Sequence, residues 1–313
     1  MNNNLSYILS TYNKLAYLKV TIPILIDSLD EDDELIVIDG DSQDGTKEYL
    51  GKLYQENKKF SFISEKDKGE AHGFNKGVLL ANCDLIKIIT DDDAFNYPVI
   101  KKCKDFMALH PEIDIMAGNT GGIRVENIKS LYCSFSFQDD FELWRRGLMK
   151  NFFFNGTCLM LRKSSLELTG LFSTSSLLAD MEFSLRVTGV AKIAWCTGII
   201  ATRILNSQSN NIKFAEEAKI ENEKLCQFYD YKHANIRREE ELKNRSTYRK
   251  IHSWLSRLKA SFVNRNVNNL DNFIPDNKVY TFEEVHDYCR LWMTSHELNN
   301  EIKFLIKEYG IDS

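Results

Sequence analysis

The chain has 313 residues, of which 43% are hydrophobic and 27% are charged, values that are ordinary for a soluble globular protein with one large or two smaller domains. Its formal net charge of -5 argues against a general nucleic-acid-binding protein. The seven cysteines are scattered and contain no C-x-x-C pair, which excludes a disulfide framework and a structural zinc site. The first residues lack the features of a signal peptide, and no apolar run reaches the ~18 residues of a membrane span, so we expect a cytoplasmic protein.

The amino-terminal part of the chain alternates short apolar runs with longer amphipathic ones, which predicts β-α-β units on a mostly parallel sheet. We expect strands at residues 7–9, 35–38, 60–63 and 85–89, with helices at about 15–29, 45–56 and 70–81 between them. Polar residues follow each strand, and successive parallel strands place their ends on one rim of the sheet. The polar loops therefore predict a single crevice, the usual place for a bound nucleotide.

The rest of the chain has a mixed pattern and then a helical one. We predict helices at 97–109 and around 180–187, extended runs near 113–117 and 157–161, and helical structure beyond residue 212. No Pro/Gly/Ser-rich linker marks a boundary. We place an approximate domain boundary near residue 210, between an α/β domain of residues 1–210 and a helical C-terminal region of residues 211–313.

Three consecutive carboxylates, Asp91, Asp92 and Asp93, directly follow the fourth predicted strand. Their mutual repulsion costs stability unless a cation or backbone amides compensate it. Mn²⁺ and Mg²⁺ prefer oxygen ligands and commonly bridge protein carboxylates to substrate phosphates, so the triplet predicts a divalent-cation site. A solvated acidic turn is the alternative, but ligand sites in open α/β sheets lie where these residues stand.

Other ion and nucleotide motifs are incomplete in this chain. A calcium loop beginning at Asp39 is excluded because Asp44 stands where a glycine is required. A phosphate-binding P-loop is excluded because Thr46 precedes Lys47, which reverses the required order. No G-x-G-x-x-G follows the first strand, so a dinucleotide-binding fold lacks its fingerprint.

Taken together, the strand-end loops resemble those of glycosyltransferase family 2, the inverting nucleotide-sugar transferases of the GT-A fold. The resemblance runs in order through residues 10–13, 36–46, 64–69 with 75–77, 90–93 and 180–186, and covers about the first two thirds of the chain. Each piece is weak alone, and the order and spacing of the pieces carry the resemblance. It implies an α/β architecture with a Rossmann-like, nucleotide-binding mixed sheet flanked by helices, followed by a helical C-terminal extension.

In such enzymes the first loop and the end of the second strand contact a uracil-type base and the ribose, which implies this role for Tyr12 and Asp39, with Thr11 and Asn13 beside them. An aromatic ring stacks on a base, and a carboxylate accepts hydrogen bonds from imide or hydroxyl donors. The alternative for Asp39 is that it caps its own turn.

The resemblance assigns two further loops to the nucleotide and the metal. Asp67 and Lys68 match a loop that closes against the base, although Lys68 is equally explained as a solvated lysine. In the D-x-D motif Asp93 would bind Mn²⁺ or Mg²⁺, Asp91 would reach the ribose or a metal-bound water, and Asp92 would support the turn. A second register makes Asp92 and Asp93 the important pair. The cation would stabilise the charge that builds on the departing diphosphate.

The resemblance also implies a general base at Asp180, which would accept the proton of an acceptor hydroxyl in a single, inverting displacement. Glu182 lies roughly 200° further around a helix and would face elsewhere, paired with Arg186. The alternative for Asp180 is a helix cap. Many members carry a histidine after the last core strand as a third metal ligand; Asn206 stands in the comparable stretch, so that ligand stays open.

A basic amphipathic stretch spans residues 243–265, where apolar residues recur at helical spacing and no acidic residue occurs. Such a helix lies on an anionic membrane surface, or packs on the core or on a second subunit of a homo-oligomer.

We therefore predict a cytoplasmic, metal-dependent, inverting glycosyltransferase, peripheral at the inner face of the membrane if the basic stretch binds there. It would move a sugar from a nucleoside diphosphate, most simply UDP, to a hydroxyl of a saccharide or polyprenyl-linked saccharide in surface polysaccharide assembly. One alternative is a sugar nucleotidyltransferase, which needs a glycine-rich loop after the first strand that residues 10–13 do not supply. The other is a non-catalytic member that binds nucleotide or glycan.

Overall fold

The computed structural model describes residues 4–206, 209, 213–233, 236–237 and 279–307. Within these ranges the strands are β1 Leu5–Thr11, β2 Glu34–Asp39, β3 Phe60–Ser64, β4 Leu85–Ile89, β5 Ala94–Phe95, β6 Ile115–Arg124, β7 Asn127–Ser134, β8 Met160–Arg162, β9 Ile193–Leu205 and β10 Phe304–Ile306. The helices are α1 Leu15–Ser28, α2 Thr46–Glu56, α3 Glu70–Leu80, α4 Tyr97–Leu109, α5 Ser136–Arg145, α6 Leu166–Thr169, α7 Ala179–Val187, α8 Ala215–Phe228 and α9 Phe282–Asn299.

In the described part of the chain, the strands form one mixed sheet in the order β10-β9-β6-β8-β4-β1-β2-β3, while β5 pairs with β9 and β7 with β6. β1 is parallel to both β2 and β4, and β2 is parallel to β3. β8 is antiparallel to β4 and to β6, and so joins the amino-terminal parallel unit to a second parallel pair, β6 and β9. The α/β class and the mixed sheet flanked by helices are as predicted.

β1 is buried along its whole length because helices cover both faces of the sheet. Side chains alternate between the two faces of a strand. Tyr7 and Leu9 belong to a core cluster that includes Leu18 of α1 and Met107 of α4, whereas Ile8 belongs to the opposite cluster. That second cluster contains apolar side chains of α3, α5 and α7. The continuous apolar run of a central strand therefore reflects burial on two sides.

The predicted strands and helices of the first 109 residues are confirmed, with small differences at their ends. The predicted extended run at 157–161 is instead a short 3₁₀ turn, Gly156–Cys158, followed by β8. β7, α5 and β9 were not predicted, since their sequences lack clear periodicity.

The C-terminal region adds helices, as predicted, but differs at residues 304–306, where β10 pairs antiparallel with β9. α9 begins with a capping box formed by Thr281 and Glu284. Its buried side chains, among them Val285 and Trp292, pack with Ile199 of β9. The basic stretch 243–265 lies outside the described residues, and the boundary near residue 210 stays a prediction. None of the helices described here has both the length and the apolar character that a membrane crossing requires.

Helix α3 lies unusually close to β1, which brings the loop before it to the rim of the sheet. A Cβ built on Gly77 would lie 2.2 Å from Cγ2 of Ile8, well inside van der Waals contact. The absence of a side chain at Gly77 therefore permits this packing.

We expect Gly77→Ala to lower the free energy of unfolding by about 1–3 kcal/mol, because the added methyl group overpacks the contact with β1. Gly51→Ala is the matched control, since a Cβ on Gly51 of α2 meets nothing within 4 Å. That change should stabilise by about 0.5–1 kcal/mol through helix propensity. Chemical denaturation of both variants measures the difference, and equal effects would contradict the close packing.

Candidate active site

The polar ends of the first four strands meet at one rim of the sheet. Thr11 at the end of β1 is paired with Asp39 at the end of β2, and Asp39 is paired with Ser64 of β3. On the other side of β1, Leu9 is paired with Ile89, the last residue of β4. The four loops that follow these strands are therefore neighbours, as the strand pattern predicted.

The loop after β1 is locked to the loop after β2 by Asn13. This residue has a positive φ of 53°. Its N–H donates to Oγ of Ser42 at 2.7 Å, and its Oδ1 accepts from the N–H of Gln43 at 2.8 Å. The turn leaves the Tyr12 side chain 59% exposed at the rim. A ring held there is available to stack on a base. Contact between Tyr12 and a base stays a prediction.

Asp39 is fully buried and holds two loops together. Both the N–H and the hydroxyl of Ser42 donate to its carboxylate, and Oγ of Ser64 donates to its Oδ2 at 2.7 Å. These contacts are the turn-capping role that the sequence offered as the alternative. Contact with a base or ribose by Asp39 remains a prediction.

The loop after β3 reaches the same place through Asp67. A Cβ built on Gly40 would lie 3.2 Å from both carboxylate oxygens of Asp67, so the carboxylate lies directly against the β2 loop. The N–H of Gly69 donates to its Oδ1 at 2.8 Å. Lys68 is exposed, and its N–H donates to Nδ1 of His72 at 3.1 Å. The exposure of Lys68 is compatible with either of its two predicted roles.

The acidic triplet is held on one side by Thr11 of β1 and by Lys14, the residue that precedes α1. Oγ1 of Thr11 donates to Oδ2 of Asp91 at 2.8 Å. Nζ of Lys14 donates to Oδ2 of Asp92 at 2.6 Å and lies 3.9 Å from Oδ1 of Asp91. Lys14 was not predicted as a site residue. The only sequence signal for it is its position just after the first strand-end loop.

On the other side, the end of β9 holds the triplet. The N–H of Ile204 donates to Oδ1 of Asp93 at 2.9 Å, and Oγ1 of Thr90 donates to Oδ2 at 2.6 Å. Nδ2 of Asn206 donates to Oδ2 of Asp92 at 3.0 Å. β1, which pairs with β4, and the end of β9, which pairs with β5, thus supply donors to the turn between β4 and β5, whose carboxylates would otherwise repel one another.

These donors do not fully compensate the negative charge. Burial and the neighbouring Asp92 raise the pKa of Asp91 to about 8, although Lys14 opposes the shift. Burial and Asp92 likewise raise the pKa of Asp93 to about 6. For Lys14, burial lowers the pKa, but Asp91 and Asp92 raise it by more. Lys14 therefore does not balance the negative charge of the three carboxylates, which is the condition that predicted a cation.

The chemistry of the triplet fits a hard divalent cation, because carboxylate oxygens are the ligands that such ions prefer and each oxygen has a second lone pair. Asp91 and Asp93 are the residues that would hold it. Asn206, which stands where a third ligand was expected, donates its amide nitrogen to Asp92, and the identity of a third ligand stays open. Within the described ranges, no group of three or more His, Cys, Asp and Glu side chains is arranged to hold a metal ion.

Asp180 lies in the first turn of α7 and is hydrogen-bonded to a different loop. Its Oδ2 accepts from the N–H of Gly156 at 3.2 Å, and its Oδ1 accepts from the N–H of Met181 at 2.8 Å. The N-cap residue is Leu178, so Asp180 is not the simple cap that the sequence offered as an alternative. Burial raises the pKa of Asp180 more than these N–H donors lower it. A carboxylate with a raised pKa is a stronger proton acceptor.

Glu182 is committed to other partners. Nε of Arg186 lies 2.7 Å from Oε1 of Glu182, which confirms the predicted pairing. The hydroxyl of Tyr229 donates to the same oxygen at 3.2 Å. Of the two acids in α7, Asp180 is therefore the one that lacks a cationic hydrogen-bond partner among the described residues.

A buried lysine connects the Asp180 loop to the triplet strand. Lys87 of β4 is completely buried, and its Nζ donates to the carbonyl oxygens of Ile88 and Thr157 at 2.7 Å each. Burial lowers its pKa to about 7. Thr157 follows the residue whose N–H holds Asp180. The 3₁₀ turn Gly156–Cys158, which holds Asp180, is therefore fixed to β4, the strand that precedes the triplet.

A family model for glycosyl transferase family 2 matches residues 6–169, which is more than half of the chain. The chain belongs to glycosyl transferase family 2. This confirms the predicted family. The match includes all four strand-end loops and the triplet, and it ends before Asp180. No curated protein sequence matches the chain significantly.

Solved structures of similar fold include TarS from S. aureus, residues 1–349. Its complex with UDP aligns with a TM-score of 0.52 and 14% identity, over 98% of this chain and 97% of that chain. Its complex with UDP-GlcNAc aligns with a TM-score of 0.52 and 16% identity, over 66% of this family 2 chain and 60% of that chain, which is less than two thirds of its length.

The mannosyltransferase PcManGT from Pyrobaculum calidifontis, in complex with GDP-Man and Mn²⁺, aligns with a TM-score of 0.52 and 13% identity, over 95% of this chain and 86% of that chain. Identities this low establish the fold alone. The predicted GT-A fold of this family 2 protein is confirmed.

Lys14→Met should destabilise this family 2 protein by about 1–3 kcal/mol at neutral pH without added metal, because Asp91 and Asp92 lose their cationic partner. Lys19→Met is the control, since Lys19 is exposed on the same helix. Thermal and chemical unfolding of the two variants measure the effect. Equal stability of the Lys14 and Lys19 variants would show that the ion pair contributes nothing.

Proposed function

We propose that this family 2 protein is an inverting, divalent-cation-dependent glycosyltransferase. It transfers a sugar from a nucleoside diphosphate donor, with UDP favoured, to a hydroxyl of a saccharide or lipid-linked saccharide. The observation that carries the proposal is the coexistence of two features beside β4: an acidic triplet whose negative charge Lys14 does not balance, and a separate, half-buried carboxylate, Asp180, with a raised pKa.

The donor side of the reaction is supported by the rim. Tyr12 offers an exposed ring for the base, and Asp91 and Asp93 offer oxygens for Mn²⁺ or Mg²⁺. A bound cation supplies Lewis-acid stabilisation of the diphosphate as its charge increases. Thr11 and the N–H of Ile204 fix the two carboxylates in place, so little reorganisation is needed when the donor binds.

The acceptor side is supported by Asp180. Its carboxylate accepts the proton of the acceptor hydroxyl while that oxygen attacks the anomeric carbon and the bond to the diphosphate breaks. One base and no enzymic nucleophile give a single displacement with inversion. The N–H of Gly156 holds the carboxylate in position throughout.

Two alternatives are less well supported. A sugar nucleotidyltransferase would need a glycine-rich loop after β1, and Ser10, Thr11, Tyr12 and Asn13 contain no glycine. A non-catalytic binding member is favoured only by Asn206, which stands where a metal ligand was expected and donates to Asp92.

We also propose a cytoplasmic location, lipid-linked acceptors and a role in surface polysaccharide assembly. Contact with the membrane through residues 243–265 and a homo-oligomer are further proposals.

The donor is best found by a screen of UDP-, GDP- and dTDP-sugars for diphosphate release, because structures of the same fold hold both UDP-GlcNAc and GDP-Man.

Binding of Mn²⁺ should strengthen as pH rises from about 5.5 to 8.5, by about tenfold per pH unit near pH 7 and more steeply below pH 6, because Asp93 and Asp91 must lose protons to bind the cation. Their raised pKa values of about 6 and about 8 set this range. Calorimetric titration with Mn²⁺, with and without UDP, measures the affinity at each pH.

Asp93→Asn should weaken Mn²⁺ binding at least about tenfold and remove the part of the pH dependence near pH 6, while the part near pH 8 that belongs to Asp91 remains. Asp27→Asn, at an exposed position of α1, should do neither. A pH-independent Mn²⁺ affinity would contradict a site at the triplet, and failure to bind UDP, GDP or dTDP with Mn²⁺ would overturn the proposed function.

Asp180→Asn should reduce sugar transfer by about 10²–10⁴-fold while UDP binding is retained, because the general base is lost and the donor contacts remain. Glu182→Gln is the matched control, two residues along the same helix, and should retain most of the activity. Steady-state transfer rates and UDP calorimetry separate the two effects. Normal transfer by Asp180→Asn would exclude it as the base.

A further inference from the structure

A row of three residues crosses the sheet beside the acidic triplet. Gly122 of β6 is paired with Arg203 of β9 on one side and with Tyr132 of β7 on the other. A Cβ on Gly122 would lie 2.7 Å from ring carbons and the hydroxyl of Tyr132, so the ring lies over the glycine. The ring thereby extends across β6 to β9, where Nη2 of Arg203 donates to the Tyr132 hydroxyl at 3.4 Å.

The guanidinium of Arg203 has unused hydrogen-bonding capacity. Its Nε is buried and has no hydrogen-bond partner, and the described residues include no carboxylate that forms an ion pair with it. A buried donor without a partner costs free energy, and the cost falls if a ligand accepts the hydrogen bond.

Arg203 is positioned next to the triplet by its own strand. The N–H of the following residue, Ile204, donates to Oδ1 of Asp93 at 2.9 Å. The positive charge of Arg203 also acts on both halves of the site: burial raises the pKa of Asp93 and of Asp180, and Arg203 lowers both. The guanidinium is therefore within electrostatic reach of the triplet and of Asp180.

We propose that Arg203 binds the diphosphate of the nucleotide-sugar donor, with Tyr132 as the residue that positions it across Gly122. The proposal rests on the proposed function, since it names a contact to that donor. A guanidinium is planar and always charged, and it recognises phosphate oxygens by paired, charge-assisted hydrogen bonds. Its charge complements a diphosphate near carboxylates that would themselves repel one.

This contact also serves the reaction. Negative charge on the diphosphate increases as its bond to the sugar breaks, so a guanidinium held in place stabilises the transition state more than the bound donor. Arg203 thus contributes both to donor binding and to the rate. A residue that only balanced the charge of Asp93 would affect UDP and UMP alike.

Calorimetric titration with UDP and with UMP, each in saturating Mn²⁺, tests the contact. We expect Arg203→Met to weaken UDP binding roughly ten- to hundredfold and to change UMP binding by less than about threefold. Arg203→Lys should recover only part of the loss, because an ammonium cannot form the paired contact. Arg124→Met, at an exposed arginine of β6, is the control and should bind both nucleotides normally.

Tyr132→Phe keeps the ring over Gly122 and removes the hydroxyl that accepts from Arg203. We expect a loss of UDP affinity of about two- to fivefold, and a lower rate of sugar transfer with unchanged thermal stability.

Unchanged UDP affinity in Arg203→Met, or an equal loss for UDP and UMP with the fold intact by thermal unfolding, would overturn the inference alone. Failure of the wild-type protein to bind any nucleoside diphosphate would overturn the proposed function as well. If the wild-type protein prefers GDP, the pair GDP and GMP replaces UDP and UMP.

Discussion

The repulsion among three adjacent, largely buried carboxylates is the constraint on which the rim of this sheet depends. Asp91 and Asp93 have raised pKa values, so the turn is under electrostatic stress even with its protein donors in place. Those donors come from distant parts of the chain: the hydroxyl of Thr11 in β1, the ammonium of Lys14 just before α1, and the N–H of Ile204 and the side-chain amide of Asn206 at the end of β9. β6 and β8 separate β9 from β4 in the main sheet, so β9 reaches the triplet by pairing with β5, the short strand that follows it.

This constraint explains why β9 matters as much as β1. Ile204 is 111 residues from Asp93 in sequence, and Thr11 is 80 residues from Asp91. Loss of either contact would leave a carboxylate oxygen without a donor in a poorly solvated place. The same strand carries Arg203 one residue before Ile204, so the requirement to hold the triplet also fixes where that positive charge stands.

The amino-terminal half of the fold was predictable because its strands and helices have clear periodicities, and because parallel strands must place their ends on one rim. That reasoning located Tyr12, Asp39 and the triplet. It could not find Lys14 or Arg203, whose roles depend on contacts between distant segments. Nor could it foresee that β8 would run antiparallel between β4 and β6, since three residues carry no directional signal.

The two halves of the candidate site are built differently. The family match covers the triplet and the four strand-end loops but ends at residue 169, before Asp180, Arg203 and Asn206. The triplet and the strand-end loops, which are proposed to bind the donor, are thus positioned by the parallel strands β1 to β4. Asp180, the proposed base, depends on fewer contacts: those of α7, the N–H of Gly156, and the Lys87 bond that fixes the adjoining turn to β4. Lys87 is completely buried, so the position of Asp180 relative to the triplet is determined in the core rather than by the exposed loops of the rim.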